Sequence, residues 1–355
     1  MKNFSITQWE DIHKNNEWNA ILLGNGASIA IHKDFSYQTL HSVAEENGSL
    51  KIAAKIFEDF KTKDFEHVLL ACRYAERVNS ALGNPENQIS VAYEEVRKAL
   101  IEAVHSVHPQ HSGITPDLER VGIFASKFKT IVSLNYDLIL YWAIMLFNSP
   151  EKNNGTWFKD AFLKGGNFET DWCFLRQPRP SVKGATLVFY PHGSLFVARN
   201  DNGDESKIAV PKENHKENDL LRSITDKWSS ERYVPIFVSE GTSEEKLAAI
   251  YRSHYLTHVY ERVLPKLGES LVVYGWAFDD RDQHVLDAIL KKTEIKRMAV
   301  SVFSDYPDAD PQEFCCRVDN AVCQYKSLGR TIDVTFFDSK SPDCWNNPSS
   351  EGTSA

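Results

Sequence analysis

The sequence predicts an α/β fold in which a mostly parallel sheet is covered on both faces by helices, and three observations predict it. Short apolar runs recur along the chain, each bounded by turn residues, as strands buried on both faces require. The segments between them carry apolar residues at helical spacing, such as Ile52, Ile56 and Phe60. Four of the runs end in glycine or polar turns, which is where open parallel sheets place their ligands.

Taken in order, the expected strands are Ala20 to Leu23, Thr130 to Leu134, Thr186 to Tyr190, Pro235 to Val238, Ser270 to Tyr274, Met298 to Phe303 and Ile332 to Phe337. Between the first two, residues of about 39–127 read as an almost wholly helical insertion. A second insertion, about 150–184, is irregular, aromatic and rich in glycine. Asp201-Asn202-Gly203-Asp204 has the composition of a hairpin turn. One domain is expected over residues 1–338, and the polar, Pro/Ser-rich segment 339–355 is expected to be a flexible tail.

Composition narrows the function classes. The chain has 355 residues, 42% of them hydrophobic and 25% charged, enough for a sizeable core. Lys+Arg 40 against Asp+Glu 49 gives a net charge of −9, with no basic block to grip a nucleic-acid backbone. The polar N-terminus and the absence of a long apolar run predict a cytoplasmic protein without a membrane segment. The six cysteines form no C-x-x-C pair and read as reduced residues, mostly packed in or near the core. Pro109 interrupts any helix joining His105, His108 and His111, so these histidines read as a polar helix end, and no metal site is expected.

The turns carry the chemistry. A strand that enters a glycine turn and then a helix, as in ILLGNGASIAIHK from Ile21 to Lys33, suits nucleotide binding. It is not a phosphate loop, because the chain has no Gly-Lys pair. It departs from G-x-G-x-x-G as well, since Ile29 stands where the third glycine belongs and Glu45 and Glu46 fall in a helix. The second turn is Ser133-Leu134-Asn135-Tyr136-Asp137, the third Pro191-His192-Gly193, and a later one runs from Tyr274-Gly275-Trp276 to Asp280. Each has a plain structural alternative, Asp137 as a helix cap and Gly24-Asn25-Gly26 as a tight bend among them. Together they predict one crevice.

In that order the turns resemble the sirtuin-like NAD-binding family, closest to bacterial sirtuin-like proteins of phage defence and a domain-of-unknown-function branch with LGNG, NYD, HGSL and VVYG signatures. The resemblance covers the sheet portion through Phe303. It implies a Rossmann-like fold with NAD as substrate, Gly24, Gly26, Ala27 and Ser28 approaching the pyrophosphate and nicotinamide end, and Asn135 and Asp137 ordering water, ribose hydroxyls and the carboxamide. His192 takes the place of the family's general base, and Gly275 that of a turn near the adenosine half, with Trp276 and Ala277 replacing Thr and Ser.

Sirtuin deacylases carry a zinc module with two C-x-x-C pairs, which is absent here, so acyl-lysine removal is disfavoured. The expectation is an NAD+ glycohydrolase acting as an anti-phage effector, with a defence-system protein or a second copy as partner and no direct nucleic-acid contact. A non-catalytic NAD or ADP-ribose sensor is the alternative. A Ser-His-Asp hydrolase is disfavoured because no G-x-S-x-G occurs. Glu240 and the turn before Glu244 either close the pocket or cap a surface helix.

Overall fold

The structure, a computed structural model, describes residues 3–14, 16–35, 40–84, 87–149, 156–177, 184–208, 219–230, 233–238, 241–291, 294–304, 310–325, 329 and 331–349. Its strands are β1 (Ile6–Thr7), β2 (Ala20–Leu23), β3 (Thr130–Ser133), β4 (Thr156–Lys159), β5 (Gly184–Phe189), β6 (Gly193–Arg199), β7 (Glu205–Lys207), β8 (Val234–Phe237), β9 (Ser270–Tyr274), β10 (Arg297–Val302) and β11 (Asp333–Asp338). Eight of them form one sheet in the order β1-β11-β10-β9-β2-β3-β5-β4. Every pairing in it is parallel. Its central part, β5-β3-β2-β9-β10-β11, has the doubly wound Rossmann-like order, with the switch point between β2 and β9.

The central strands β2, β3 and β9 are buried throughout and mostly apolar because each face is covered. Ile21 and Leu23 pack in one cluster with helices of the insertion, whereas Ala20 and Leu22 pack in a second with Val285, Ile289 and Val318. Leu23 is level with Ser133 on one side and with Tyr274 on the other, so the turns after β2, β3 and β9 begin at one height.

The helical insertion is present as Leu40–Glu46, Ala54–Phe60, Phe65–Ala81, Asn87–Val107 and His111–Ala125. The expected strand at Pro235 to Val238 forms, but as β8 of a separate antiparallel sheet, β7-β6-β8. The β6–β7 hairpin turns at residues 200–204 as expected, with Asn200 Oδ1 accepting from the N–H groups of Asn202 and Asp204 at 2.9 Å each. Within the second insertion the described residues include β4, which extends the sheet beyond β5.

The segment after Asp338 is not a loose tail. Cys344 and Trp345 are buried, and Trp345 Nε1 donates to the carbonyl of Ala27 at 2.8 Å, fastening this segment beneath the β2 turn. Its polar composition concealed one large aromatic anchor. Residues 350–355 lie outside the described part.

Candidate functional site

The β2 and β9 turns are packed directly on one another. Gly24 N–H donates to the carbonyl of Tyr274 at 2.9 Å, Gly26 N–H to that of Gly275 at 2.7 Å, and Ala27 N–H to that of Gly24 at 3.0 Å. Side chains are excluded by contact. A Cβ on Gly24 would lie 2.6 Å from the Gly275 carbonyl oxygen, and one on Gly26 would lie 2.8 Å from Gly275 Cα. Gly275 adds a left-handed φ of 68°, and its own Cβ would lie 2.4 Å from the nitrogen of Ala27. These glycines therefore serve turn-on-turn packing, and the N–H groups of Gly24, Gly26 and Ala27 face protein carbonyls. The expectation that they point at a pyrophosphate does not describe this conformation.

Asn135, Ser28 and Asp137 form a directed chain. Asn135 Nδ2 donates to the Gly24 carbonyl at 3.0 Å and to Ser28 Oγ at 2.9 Å, and Ser28 Oγ donates to Asp137 Oδ2 at 2.5 Å. Asp137 Oδ1 accepts from the N–H of Ile139 at 2.8 Å, so it holds the first residue of the helix Ile139–Phe147 from one position before the cap, which is Leu138 and not Asp137. Burial pushes the Asp137 carboxyl up, against the downward pull of Ser28 and the Ile139 N–H. With both oxygens engaged, Asp137 orients Ser28 and Asn135 from behind. Asn135 itself is half-buried, and among the described residues nothing bonds its amide oxygen.

From the insertion, His108 holds the same turn. Its Nε2 accepts from the N–H of Leu138 at 3.0 Å, and burial lowers its pKa to about 4. His105 instead meets Thr225 Oγ1 at 3.0 Å, and His111 opens a new helix, so the three histidines do not converge on one ligand.

His192 sits in the turn before β6, where the sequence put it. It is buried, and its turn is pinned by Val238 N–H donating to its carbonyl at 2.7 Å. The next residues bind the β3 turn, since Leu195 N–H donates to the Tyr136 carbonyl at 2.9 Å and Ser194 Oγ at 3.0 Å. His192 Nε2 lies 2.9 Å from Nε2 of His284. Nδ1 of His284 lies 3.1 Å from Ser243 Oγ, which in turn accepts from the His284 N–H at 2.9 Å. Asp282 completes the group, accepting from Lys246 Nζ at 2.8 Å and from Trp276 Nε1 at 3.1 Å.

The electrostatics follow from this enclosure. Burial holds both imidazoles well below the ordinary histidine range, against the upward pull of Asp282. Burial alone would raise Asp282, but the Lys246 ammonium and the hydrogen bonds from Lys246 and Trp276 outweigh it and keep the carboxyl low. The histidine in the general-base position is thus neutral and weakly basic.

One atom each of His192, Asp282 and His284 lie within 4.8 Å of one another, close enough to share a cation. As arranged, however, both Asp282 oxygens are bonded to Lys246 and Trp276, and the two Nε2 atoms face each other. A proton shared between the two rings satisfies that separation of 2.9 Å.

The four turns thus close a ring: β2 to β9 through the glycines, β2 to β3 through Asn135, β3 to β6 through Tyr136, His192 to His284, and Asp282 back to Trp276. Residues 21–345 match the family described as Domain of unknown function (DUF4917). The chain belongs to that family. No curated protein matches it.

In this DUF4917 chain the sequence-predicted residues Gly24, Gly26, Ala27, Ser28, Asn135, Asp137, His192 and Gly275 all lie along the ring. Sequence reading missed Asp282, His284, Ser243 and Lys246. The signal was the D-x-H spacing after a strand-end turn, which puts Asp282 at the end of one helical turn and His284 in the first turn of the helix Gln283–Lys291. Thr242 and Glu245 form the capping box that starts the helix Ser243–Tyr251 and delivers Ser243 and Lys246, while Glu240 lies outside the described residues.

Beside the β9 turn of this DUF4917 fold is a cleft of about 280 Å³, lined among others by Trp276, Phe278, Arg317 and Asn320. Phe278 there has a left-handed φ of 52°, a strained conformation for a bulky residue. A wider cleft of about 620 Å³, lined by His13, Lys127 and Lys129 among others, sits at the opposite, amino-terminal edge of the strands. No described helix is long and apolar enough to cross a membrane.

Proposed function

We propose that this chain binds NAD+ over the carboxyl ends of β2, β3, β5 and β9 and hydrolyses its nicotinamide–ribose bond, giving nicotinamide and ADP-ribose. The observation that carries the reading is the ring itself. Turns far apart in sequence, each picked out by its residue types, meet at the switch point of a doubly wound sheet, where such folds hold dinucleotides. The order of motifs that resembles the sirtuin-like family supplies the substrate class. The cleft beside Trp276 and Phe278 suits the adenosine half, offering aromatic rings and the Arg317 guanidinium close to the β9 turn.

In the reaction the C–N bond breaks with its electron pair going to nicotinamide, which leaves as a neutral molecule from an oxocarbenium-like ribose. A water held by the Asn135 amide adds to the opened carbon. His192 takes the proton that this water must lose, a contribution of typically about a hundredfold to ten-thousandfold. The Ser28–Asp137 pair fixes the amide that aims the water. The resemblance extends the proposal to a cytoplasmic anti-phage effector, restrained until infection, with a defence protein or a second copy as its partner.

A second reading, an NAD or ADP-ribose sensor without turnover, is favoured by one observation: the weakly basic, enclosed His192. Calorimetric titration with NAD+, followed by chromatography of the same sample for free nicotinamide, separates the two. Binding with nicotinamide release, with or without an extract from phage-infected cells, supports the hydrolase, binding without release in both conditions supports the sensor, and no binding removes both.

A further inference from the structure

The enclosed His192 raises a chemical question that the neighbouring groups answer. A buried imidazole that resists protonation is a poor place to store a proton, but it remains an effective acceptor if the proton is passed on at once. Among the described residues no group bonds His192 Nδ1, whereas its Nε2 meets His284 and His284 meets Ser243, which is half-exposed. We infer that His192, His284 and Ser243 form a proton wire, with His284 and Ser243 as positioning residues that carry the proton from His192 to solvent. The inference rests on the hydrolase reading for the source of that proton.

The transfer balances without any co-reactant. A proton arrives on His192 Nδ1, the proton on His192 Nε2 moves to His284 Nε2, the proton on His284 Nδ1 moves to Ser243 Oγ, and the hydroxyl proton of Ser243 leaves to water. The charge in transit is positive, and Asp282 is the carboxylate beside both rings that stabilises it. Lys246 limits how long it stays, because its ammonium bonds Asp282 and opposes a resting imidazolium. Glu244 and Asp287 also face His284 and add to the attraction. The rings are suitably placed, with centroids 5.1 Å apart and planes inclined by 24°.

The wire requires particular tautomers: His192 protonated on Nε2 and His284 on Nδ1. Long-range proton–nitrogen correlation on the full chain labelled with 15N-histidine, assigned with His192→Gln and His284→Gln and recorded at about pH 7, reads them directly and needs no NAD+. In turnover, Ser243→Ala and His284→Gln are expected to lower kcat at least about tenfold with the Kd for NAD+ within about threefold, and Ser243→Thr, which keeps the hydroxyl, is expected to restore most of the rate. A proton on His284 Nε2, or full kcat in Ser243→Ala, overturns the wire. The required tautomers together with no nicotinamide release from the unaltered chain, with or without an extract from phage-infected cells, would overturn the hydrolase reading instead.

Discussion

Gly26→Val tests what the glycine turn is for. A Cβ at position 26 would lie 2.8 Å from Gly275 Cα and 2.9 Å from its carbonyl oxygen, well inside the separation of about 3.5–4.0 Å at which such atoms attract. Neither obstacle is a side chain that can rotate away. Both belong to a backbone tied by the Gly26–Gly275 hydrogen bond and by Gly275 N–H donating to Ser301 Oγ at 3.0 Å. Overpacking costs about 1–3 kcal/mol, and immovable neighbours place this case at about 3 kcal/mol. With an unfolding entropy of about 2.1 cal/mol/K per residue over 355 residues, the ligand-free melting temperature should fall by about 4 °C. Gly113→Ala is the control, because its Cβ would meet nothing within 4 Å in the helix His111–Ala125. It should be neutral or stabilising by about 0.5 kcal/mol. Calorimetric melts of both variants without ligand decide the matter. An unaltered melting temperature in Gly26→Val would mean that the turn is free to move off Gly275, and would return its glycines to ligand approach.

Three other outcomes follow from the same contacts. Trp345→Ala, which empties a buried aromatic site and leaves the Ala27 carbonyl without its partner, should cost about 3–5 kcal/mol in chemical denaturation; a loss under about 1 kcal/mol would mean the segment after Asp338 is loosely held. His108 has its folded pKa depressed from 6.5 to about 4, so its contribution is present above 6.5 and is lost as pH falls toward 4, by up to about 1.4 kcal/mol per unit. The stability of His108→Asn should accordingly fall less steeply than that of the unaltered chain between about pH 7 and pH 5, and equal slopes would contradict the burial argument. Ser28→Ala should lower stability by about 1–3 kcal/mol by orphaning a buried Asp137 oxygen, and should move the Asp137 titration upward when followed by carboxyl 13C shifts; an unmoved titration would show that Ser28 does not hold the charge.

The central strands were legible because burial on both faces leaves a plain apolar run, as in Ala20 to Leu23 and Ser270 to Tyr274. The helical insertion was legible for the same reason at another period. β4 and β1 are short edge strands without such a run, and β6 was hidden behind the His192 turn that precedes it. The assignment of β8 to a second sheet depends on long-range pairing with β6, which local pattern does not encode. At the site, residue types at strand ends indicated which turns converge. They did not reveal that Gly24 and Gly26 face another turn, that His192 is enclosed, or that the D-x-H of Asp282 and His284 supplies its partner, because each of these depends on which backbone lies opposite.

The central claim is that the ring built around Asn135 and His192 hydrolyses NAD+. The direct measurement is chromatographic quantification of nicotinamide and ADP-ribose formed from NAD+ by the purified chain and by its folded Asn135→Ala and His192→Ala variants, in the presence and absence of an extract from phage-infected cells. The account predicts equal amounts of the two products from the unaltered chain, with the extract if the enzyme is restrained, and at least about a hundredfold loss in each variant whose melting temperature is retained. Turnover that persists at the unaltered rate in both variants, or the absence of nicotinamide under every condition despite tight NAD+ binding, would contradict it.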